Sequence, residues 1–116
     1  MPVPILKQGS ILIASIQAEL SDRDLVALRD DMARNVGNTR ARGVLIDVSA
    51  LDVLDSFATR TIRGIAYTAK LRGAETVVVG IQPDVAFAMV QLGLSLEDIV
   101  TALDLEEGLD ILRKAR

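Results

Sequence analysis

An acid and a hydroxyl stand side by side where the chain is predicted to leave a strand and enter a helix. Asp55 and Ser56 follow a buried-strand pattern and open a helical one. Either side chain can cap the helix by accepting a hydrogen bond from a first-turn amide. A serine at this position can also carry a phosphate, because the free amides and the dipole of a helix N-terminus favour an anion. The junction therefore indicates a helix cap, a regulated serine, or both.

The helical phase predicts that Ser56 is exposed. At about 100° per residue, the side that faces the sheet is expected to carry Phe57, Ala58, Thr61, Ile62, Ile65 and Ala69. Ser56 falls on the opposite side, in line with Arg60, Arg63, Tyr67 and Lys70. Arg60 is placed to make a charge-assisted contact with a phosphate on Ser56, whereas Asp52 and Asp55 would repel it.

Asp47 ends another hydrophobic strand, which is where the phosphoryl-accepting aspartate of a receiver domain would lie. A receiver also needs a paired acid after its first strand and a lysine after a later strand. Asp22 and Asp24 follow a helix start instead, and no lysine follows TVVVG. We therefore interpret Asp47 as a strand-end residue that accepts backbone amides from the next loop.

The remaining candidates indicate structure rather than catalysis. Gly80 and Pro83 form a predicted tight turn into a helix, without the further glycines or the lysine of a phosphate-binding loop. The chain has no cysteine and no histidine, which excludes thiol, imidazole and Cys/His zinc chemistry. No nucleophile, base and oxyanion donor come together. We expect no catalytic residue, no metal, no cofactor and no enzymatic activity.

Composition narrows the classes of protein to which this chain can belong. The net charge of −3 and the 3% aromatic content argue against nucleic-acid binding. The N-terminus lacks the pattern of a signal peptide, and no apolar run approaches the roughly 20 residues of a membrane span. We expect a cytoplasmic protein that forms one domain over residues 1–116.

Hydrophobic periodicity predicts an α/β fold in the order β-β-α-β-α-β-α-(β)-α, with a mixed sheet of four to five strands and about four helices. Strands are predicted over 3–6, 11–17, 43–48 and 76–80, with an ambiguous one over 99–103. Helices are predicted from a Ser21–Asp24 cap to Gly37, over 56–72 before Gly73, from Pro83 past Val85, Met89 and Leu92 to Gly93, and after an Asp104–Glu107 cap. The opening pair of strands is expected to form a hairpin.

Several segments resemble STAS domains, the fold shared by anti-sigma-factor antagonists and sulphate-transporter tails. The signature is LIDVSALDVLDSFATRTI over 45–62, in which a strand that ends in Asp leads through a short loop to Asp-Ser. Most antagonists continue with a small residue and glycine, whereas Phe57 and Ala58 follow here. The DSF triplet resembles the RsbS-like scaffolds of the bacterial stressosome, as do PILK, ILIASIQ, GIQPDVA and LGLSLEDIVTALDLEEGL.

The resemblance implies a non-enzymatic stress-response scaffold that sequesters an RsbT-type serine kinase and releases it when phosphorylated. It implies assembly with RsbR-type STAS sensors into a large complex and resetting by an RsbX-type phosphatase. It maps the phosphorylated serine onto Ser56; the residues expected around it and against a partner are Asp52, Asp55, Phe57, Thr59, Arg60 and Arg63. The alternative is an anti-sigma factor antagonist that is regulated by the same serine without a large assembly.

Overall fold

The computed structural model describes residues 3–17 and 20–114 as five strands and four helices. The strands are β1 (Ile5–Gln8), β2 (Ile11–Ser15), β3 (Gly43–Asp47), β4 (Glu75–Val79) and β5 (Val100–Ala102). The helices are α1 (Asp22–Thr39), α2 (Ser56–Leu71), α3 (Pro83–Gln91) and α4 (Leu105–Lys114). The predicted element order is confirmed, and the ambiguous segment before Asp104 is a short fifth strand.

The five strands form one mixed sheet in the spatial order β1-β2-β3-β4-β5. β1 and β2 are antiparallel and make the expected hairpin, while every later pair is parallel. Gly9 turns the hairpin with a φ of 61°, which glycine adopts without strain. Because β3 and β4 are parallel and in register, Asp47 pairs with Val79. The carboxyl ends of these central strands therefore lie together at one edge of the sheet, where the connections to α2 and α3 begin.

Helices cover both faces of the sheet. On one face, α1, α2 and α3 bury a large core against alternate strand residues such as Leu12, Val44 and Val78. On the other face, Leu109 and Leu112 of α4 pack on Leu45 and the residues beside it. The central strands are thus buried on both sides, which explains their nearly continuous hydrophobic sequence.

Two of the predicted caps are present. The hydroxyl of Ser21 accepts the amide of Asp24 at 3.2 Å, and the Asp24 carboxylate accepts the amide of Ser21 at 3.1 Å. Asp104 accepts the amide of Glu107 at 2.9 Å, while the Glu107 carboxylate accepts the amide of Leu103 at 3.1 Å. These contacts satisfy donors that a helix N-terminus leaves without partners.

Gly37 does not end α1, and that prediction is wrong. The helix continues to Thr39, and Arg40 ends it in the left-handed region with a φ of 53°. A Cβ atom at position 37 would lie 2.9 Å from the Arg72 guanidinium, so the glycine allows this close approach to the residue that ends α2. A tertiary contact explains this glycine, and the sequence pattern alone does not show it.

Other boundaries moved by a few residues. β1 begins at Ile5 rather than Val3, although Val3 is buried in the core. β2 ends at Ser15 and β3 at Asp47, and β4 occupies Glu75–Val79 rather than 76–80. Leu92, which was expected within α3 together with Val85 and Met89, lies just after the helix and is exposed. Within the described residues, no helix is both long enough and apolar enough to cross a membrane.

Candidate functional site

The loop from β3 to α2 is held in place at both ends. At its start, the Asp47 carboxylate accepts the amide of Ser49 at 2.9 Å, as predicted for a strand-end acid. Further along, the side chains of Leu51 and Leu54 are buried in the larger core. A loop that is anchored by two buried leucines gives the following helix a defined entry point.

The neighbouring turn from β4 to α3 supports this loop from the side. Gly80 has a φ of 81°, and a Cβ atom there would lie 2.7 Å from the Cβ atom of Ser49. The Gln82 side-chain amide donates to the Ser49 carbonyl at 2.9 Å. Pro83 then occupies the first turn of α3, where its missing N–H is tolerated. Gly80 and Pro83 therefore have the turn role that the sequence indicated.

Asp55 is the residue that caps α2. Its backbone is extended, and its carboxylate accepts the amide of Ala58 at 2.8 Å. Its carbonyl accepts the amide of Thr59 at 2.9 Å, which is the first helical hydrogen bond. Of the two capping residues that the sequence left open, the structure selects Asp55. Ser56 becomes the first residue of the helix.

Ser56 is exposed, as its helical phase predicted. Its hydroxyl makes no hydrogen bond with any residue in the described part of the chain. Arg60 and Arg63 are also exposed on the following turns of α2, and the helix contains no acidic residue. The serine therefore presents a free hydroxyl to solvent at the start of a basic helix surface.

Two of the three threonines of this helix lie on its inner side. Thr59 and Thr61 are buried, and their hydroxyls donate to the carbonyls of Asp55 and Phe57, at 2.8 and 2.9 Å. Phe57 is half-buried against the larger core. Thr59 thus belongs to the surroundings of Ser56 but is not part of an exposed docking surface, because its only polar atom is turned into the helix. Ser56 is the accessible hydroxyl of the first two turns.

Two exposed features near the site were missed by sequence reasoning. Val53 stands three residues before Ser56 with 70% of its surface exposed, next to the exposed Asp52. A cleft of about 700 Å³ also runs beside α2. Its lining includes Arg60, Arg63, Tyr67, Lys70, Leu71, Glu97, Asp98 and Ile99. The helical phase of α2 predicted its basic wall, but the packing of the segment before β5 against that wall is visible only in the structure.

The described residues contain no cluster of three or more acidic side chains that could hold a metal ion. Together, the described residues present an exposed hydroxyl at Ser56, an exposed apolar side chain at Val53 and two cations, Arg60 and Arg63, that form no ion pair with them. Such a surface can be modified and read by another protein.

Comparison with known proteins gives consistent results. The family model for the STAS domain matches residues 3–108. A serine-to-glutamate variant of RsbS from Moorella thermoacetica is 37% identical, with a TM-score of 0.84, covering 96% of this chain and 94% of that one. A chain from the molecular architecture of the stressosome, described as a signal integration and transduction hub, is also 37% identical, with a TM-score of 0.81 and coverage of 95% and 96%.

Among curated proteins, the RsbT co-antagonist protein RsbRA of Bacillus subtilis is 26% identical over 109 residues. The match covers 92% of this chain but only 38% of that protein. The chain therefore corresponds to little more than a third of RsbRA, whereas it spans nearly the whole of the RsbS structure.

Proposed function

This chain belongs to the STAS domain family, and from that premise we propose that it is a non-enzymatic scaffold of a stressosome-type signalling complex in the cytoplasm. We further propose that residues 1–116 form one STAS domain. In this function the chain holds an RsbT-type serine kinase, releases it when Ser56 is phosphorylated, and is reset by an RsbX-type phosphatase. Its assembly partners are RsbR-type sensors, which the similarity to RsbRA supports.

The observation that carries this proposal is that the helix cap and the phosphoryl-accepting hydroxyl belong to different residues. Asp55 caps the helix, so the exposed hydroxyl of Ser56 is free to accept a phosphoryl group without loss of the cap. The similar RsbS chain carries a glutamate in place of a serine, and the negative charge of glutamate resembles that of a phosphoserine. No residue with a catalytic role is required.

The physical effect of a phosphate here is local. It adds about 1.5 to 2 negative charges. The helix N-terminus stabilises these charges, and so does Arg60 one turn later, whereas Asp52 and Asp55 oppose them. Because Ser56 is exposed and the loop before it is anchored by buried leucines, the added charge changes a docking surface while the domain keeps its structure. A kinase that binds the unmodified surface is then repelled by its own product.

Incubation with an RsbT-type kinase and ATP tests the site. We expect wild-type protein to gain one acid-stable phosphate and Ser56→Ala to gain none. Ser49→Ala is the matched control, since Ser49 is an exposed serine of the same loop. Undiminished phosphate in Ser56→Ala would reject the assignment, and an acid-labile acyl phosphate lost with Asp47→Asn would indicate a receiver instead.

The amount of kinase that the protein retains tests whether negative charge at Ser56 causes release. Immobilised Ser56→Asp protein should retain less kinase than wild type, and Ser49→Asp should retain as much as wild type. Equal retention by Ser56→Asp and wild type would contradict the charge mechanism. Co-purification with an RsbR-type sensor and size-exclusion chromatography test the assembly, because only the scaffold function predicts that the two proteins elute together as a particle far larger than a dimer.

A further inference from the structure

The C-terminal half of α2 carries an exposed surface of which only Arg63 was also expected near the phosphorylated serine. We call it the basic strip and define it as Arg63, Tyr67, Lys70 and Leu71, which line one wall of the cleft beside α2. Tyr67 and Leu71 are 66% and 67% exposed. Neither Arg63 nor Lys70 forms an ion pair of 4 Å or less with any residue in 3–17 or 20–114. The strip thus combines apolar area with cations that lack a partner.

A second exposed surface has the opposite charge. We call it the acidic corner and define it as Leu103, Leu105 and Glu106, where β5 turns into α4. Leu103 is 81% exposed, more than any other large hydrophobic residue in the part of the chain that the structure describes, and Leu105 is 42% exposed. The carboxylate of Glu106 makes no hydrogen bond or ion pair with the described residues, while the neighbouring Asp104 and Glu107 add negative charge as they cap the helix.

We propose that the basic strip of one copy binds the acidic corner of a second copy of this chain. Each surface offers two large apolar side chains, so their contact removes both pairs from water. Each surface also offers the charge that the other lacks, which favours the encounter of unlike surfaces. A strip-to-strip or corner-to-corner contact would place like charges together. Repeated from copy to copy, this pairing of unlike surfaces is a head-to-tail contact, which closes into rings or continues into longer assemblies.

This contact deepens the assembly part of the proposed function and rests on it for its biological role, but it involves neither Ser56 nor the cap. The acids on the far wall of the cleft, Glu97 and Asp98, do not neutralise the strip at ion-pair distance. They repel acidic side chains on their own side of the cleft, so the acids of the bound corner are expected along α2 and its leucines toward Ile99.

Charge reversal distinguishes this geometry from others. Arg63→Glu alone and Glu106→Arg alone should each weaken self-association at least about ten-fold in sedimentation velocity, because each variant opposes like charges. An equimolar mixture of the two should recover association, since each strip then meets a corner of opposite charge. Lys7→Glu, an exposed change of the same size on β1, should associate like wild type.

Cross-linking gives an independent measurement, because the natural chain has no cysteine. Leu71→Cys and Leu103→Cys, mixed and treated with a short bismaleimide, should yield covalent dimers that neither variant yields alone. Equal cross-linking within a single variant, no recovery in the charge-reversal mixture, or a wild-type Kd weaker than about 1 mM would overturn the proposal. Binding of the strip only by an RsbR-type domain would also overturn it.

The same samples separate this inference from the proposed function. Phosphate incorporation at Ser56 should be equal in wild type and Glu106→Arg, whatever their association. Loss of phosphorylation with intact head-to-tail association would reject the kinase switch alone. Normal phosphorylation without association would reject the contact alone.

Discussion

The carboxylate of Asp55 caps α2 through the amide of Ala58, 2.8 Å away, and leaves the hydroxyl of Ser56 outside the cap. Asp55 thus caps the helix while Ser56 offers the free hydroxyl, although a single serine could have done both. We predict that Asp55→Ala lowers the free energy of unfolding by about 1 kcal/mol, the usual effect of losing a cap. Ser56→Ala should change it by less than about 0.5 kcal/mol, since an exposed group without a partner is removed.

Urea denaturation of both variants checks this division. Ser49→Ala is again the control for a surface serine in the same loop. A larger loss of stability in Ser56→Ala than in Asp55→Ala would show that the serine, not the acid, caps the helix in solution.

Arg60 is predicted to lower the second pKa of a phosphate on Ser56. Arg60 lies one turn after Ser56 on the same exposed side of α2, and a cation that close favours the doubly charged phosphate. In phosphorylated protein, Arg60→Ala should therefore raise the second phosphate pKa, measured by ³¹P NMR titration. Lys70→Ala, which removes a cation more than three turns away, should leave that pKa unchanged. Identical titration curves for wild type and Arg60→Ala would place the phosphate away from the arginine.

Much of this fold and part of this site could be predicted from sequence because the signals were local. Hydrophobic periodicity predicted the order of strands and helices. The helical phase of α2 predicted that Ser56 is exposed and Ile62 is buried. Asp104 and Glu107 were recognisable as a cap because the two partners lie three residues apart. Such patterns arise from the regular repeat of a helix or strand, so the spacing of residues in the sequence is enough to predict them.

The features that sequence reasoning missed depend on contacts between distant segments. Gly37 reads as a helix stop, but it makes room for Arg72. Thr59 reads as a surface hydroxyl beside Ser56, but it is buried where α2 packs against the rest of the domain. The cleft beside α2 exists because the segment before β5 packs there, with Asp98 in the left-handed region at a φ of 67°. None of these follows from residue spacing.

The first turn of α1 is predicted to lose stability in acid. The amide of Ser21 and then its hydroxyl hold the pKa of Asp24 below its ordinary value of 3.8 through hydrogen bonds to the carboxylate. A lowered folded-state pKa stabilises the protein above the unfolded pKa, and this contribution is lost as the pH falls through the folded one. Asp24→Asn should therefore be less stable than wild type near neutral pH, and the two should converge below that folded pKa.

Urea midpoints of wild type and Asp24→Asn across that range measure the effect. Asp30→Asn is the control, because Asp30 is an exposed acid of the same helix with no role in the cap. A constant difference between wild type and Asp24→Asn at every pH would show that the carboxylate charge does not contribute.

Two helical glycines are predicted to respond in opposite directions to the same substitution. A Cβ atom at Gly108 of α4 would lie 2.5 Å from Val79 Cγ1 and 2.8 Å from Leu45 Cδ1, both in the smaller core. Gly108→Ala should therefore destabilise the protein by about 1–3 kcal/mol through overpacking. At Gly64 of α2 the nearest atom is Arg29 Cδ at 3.8 Å, an ordinary contact. Gly64→Ala should stabilise by about 0.5–1 kcal/mol, because alanine has the higher helix propensity.

Each variant serves as the control for the other, since both add one methyl group to a helix. Thermal and urea unfolding should give shifts of opposite sign, with unchanged helical circular dichroism for Gly64→Ala. The result bears on function, because the Gly108 contact fixes how closely α4 approaches the sheet and hence where Leu105 and Glu106 are presented. Shifts of the same sign would mean that α4 packs less tightly on Val79 than these distances require.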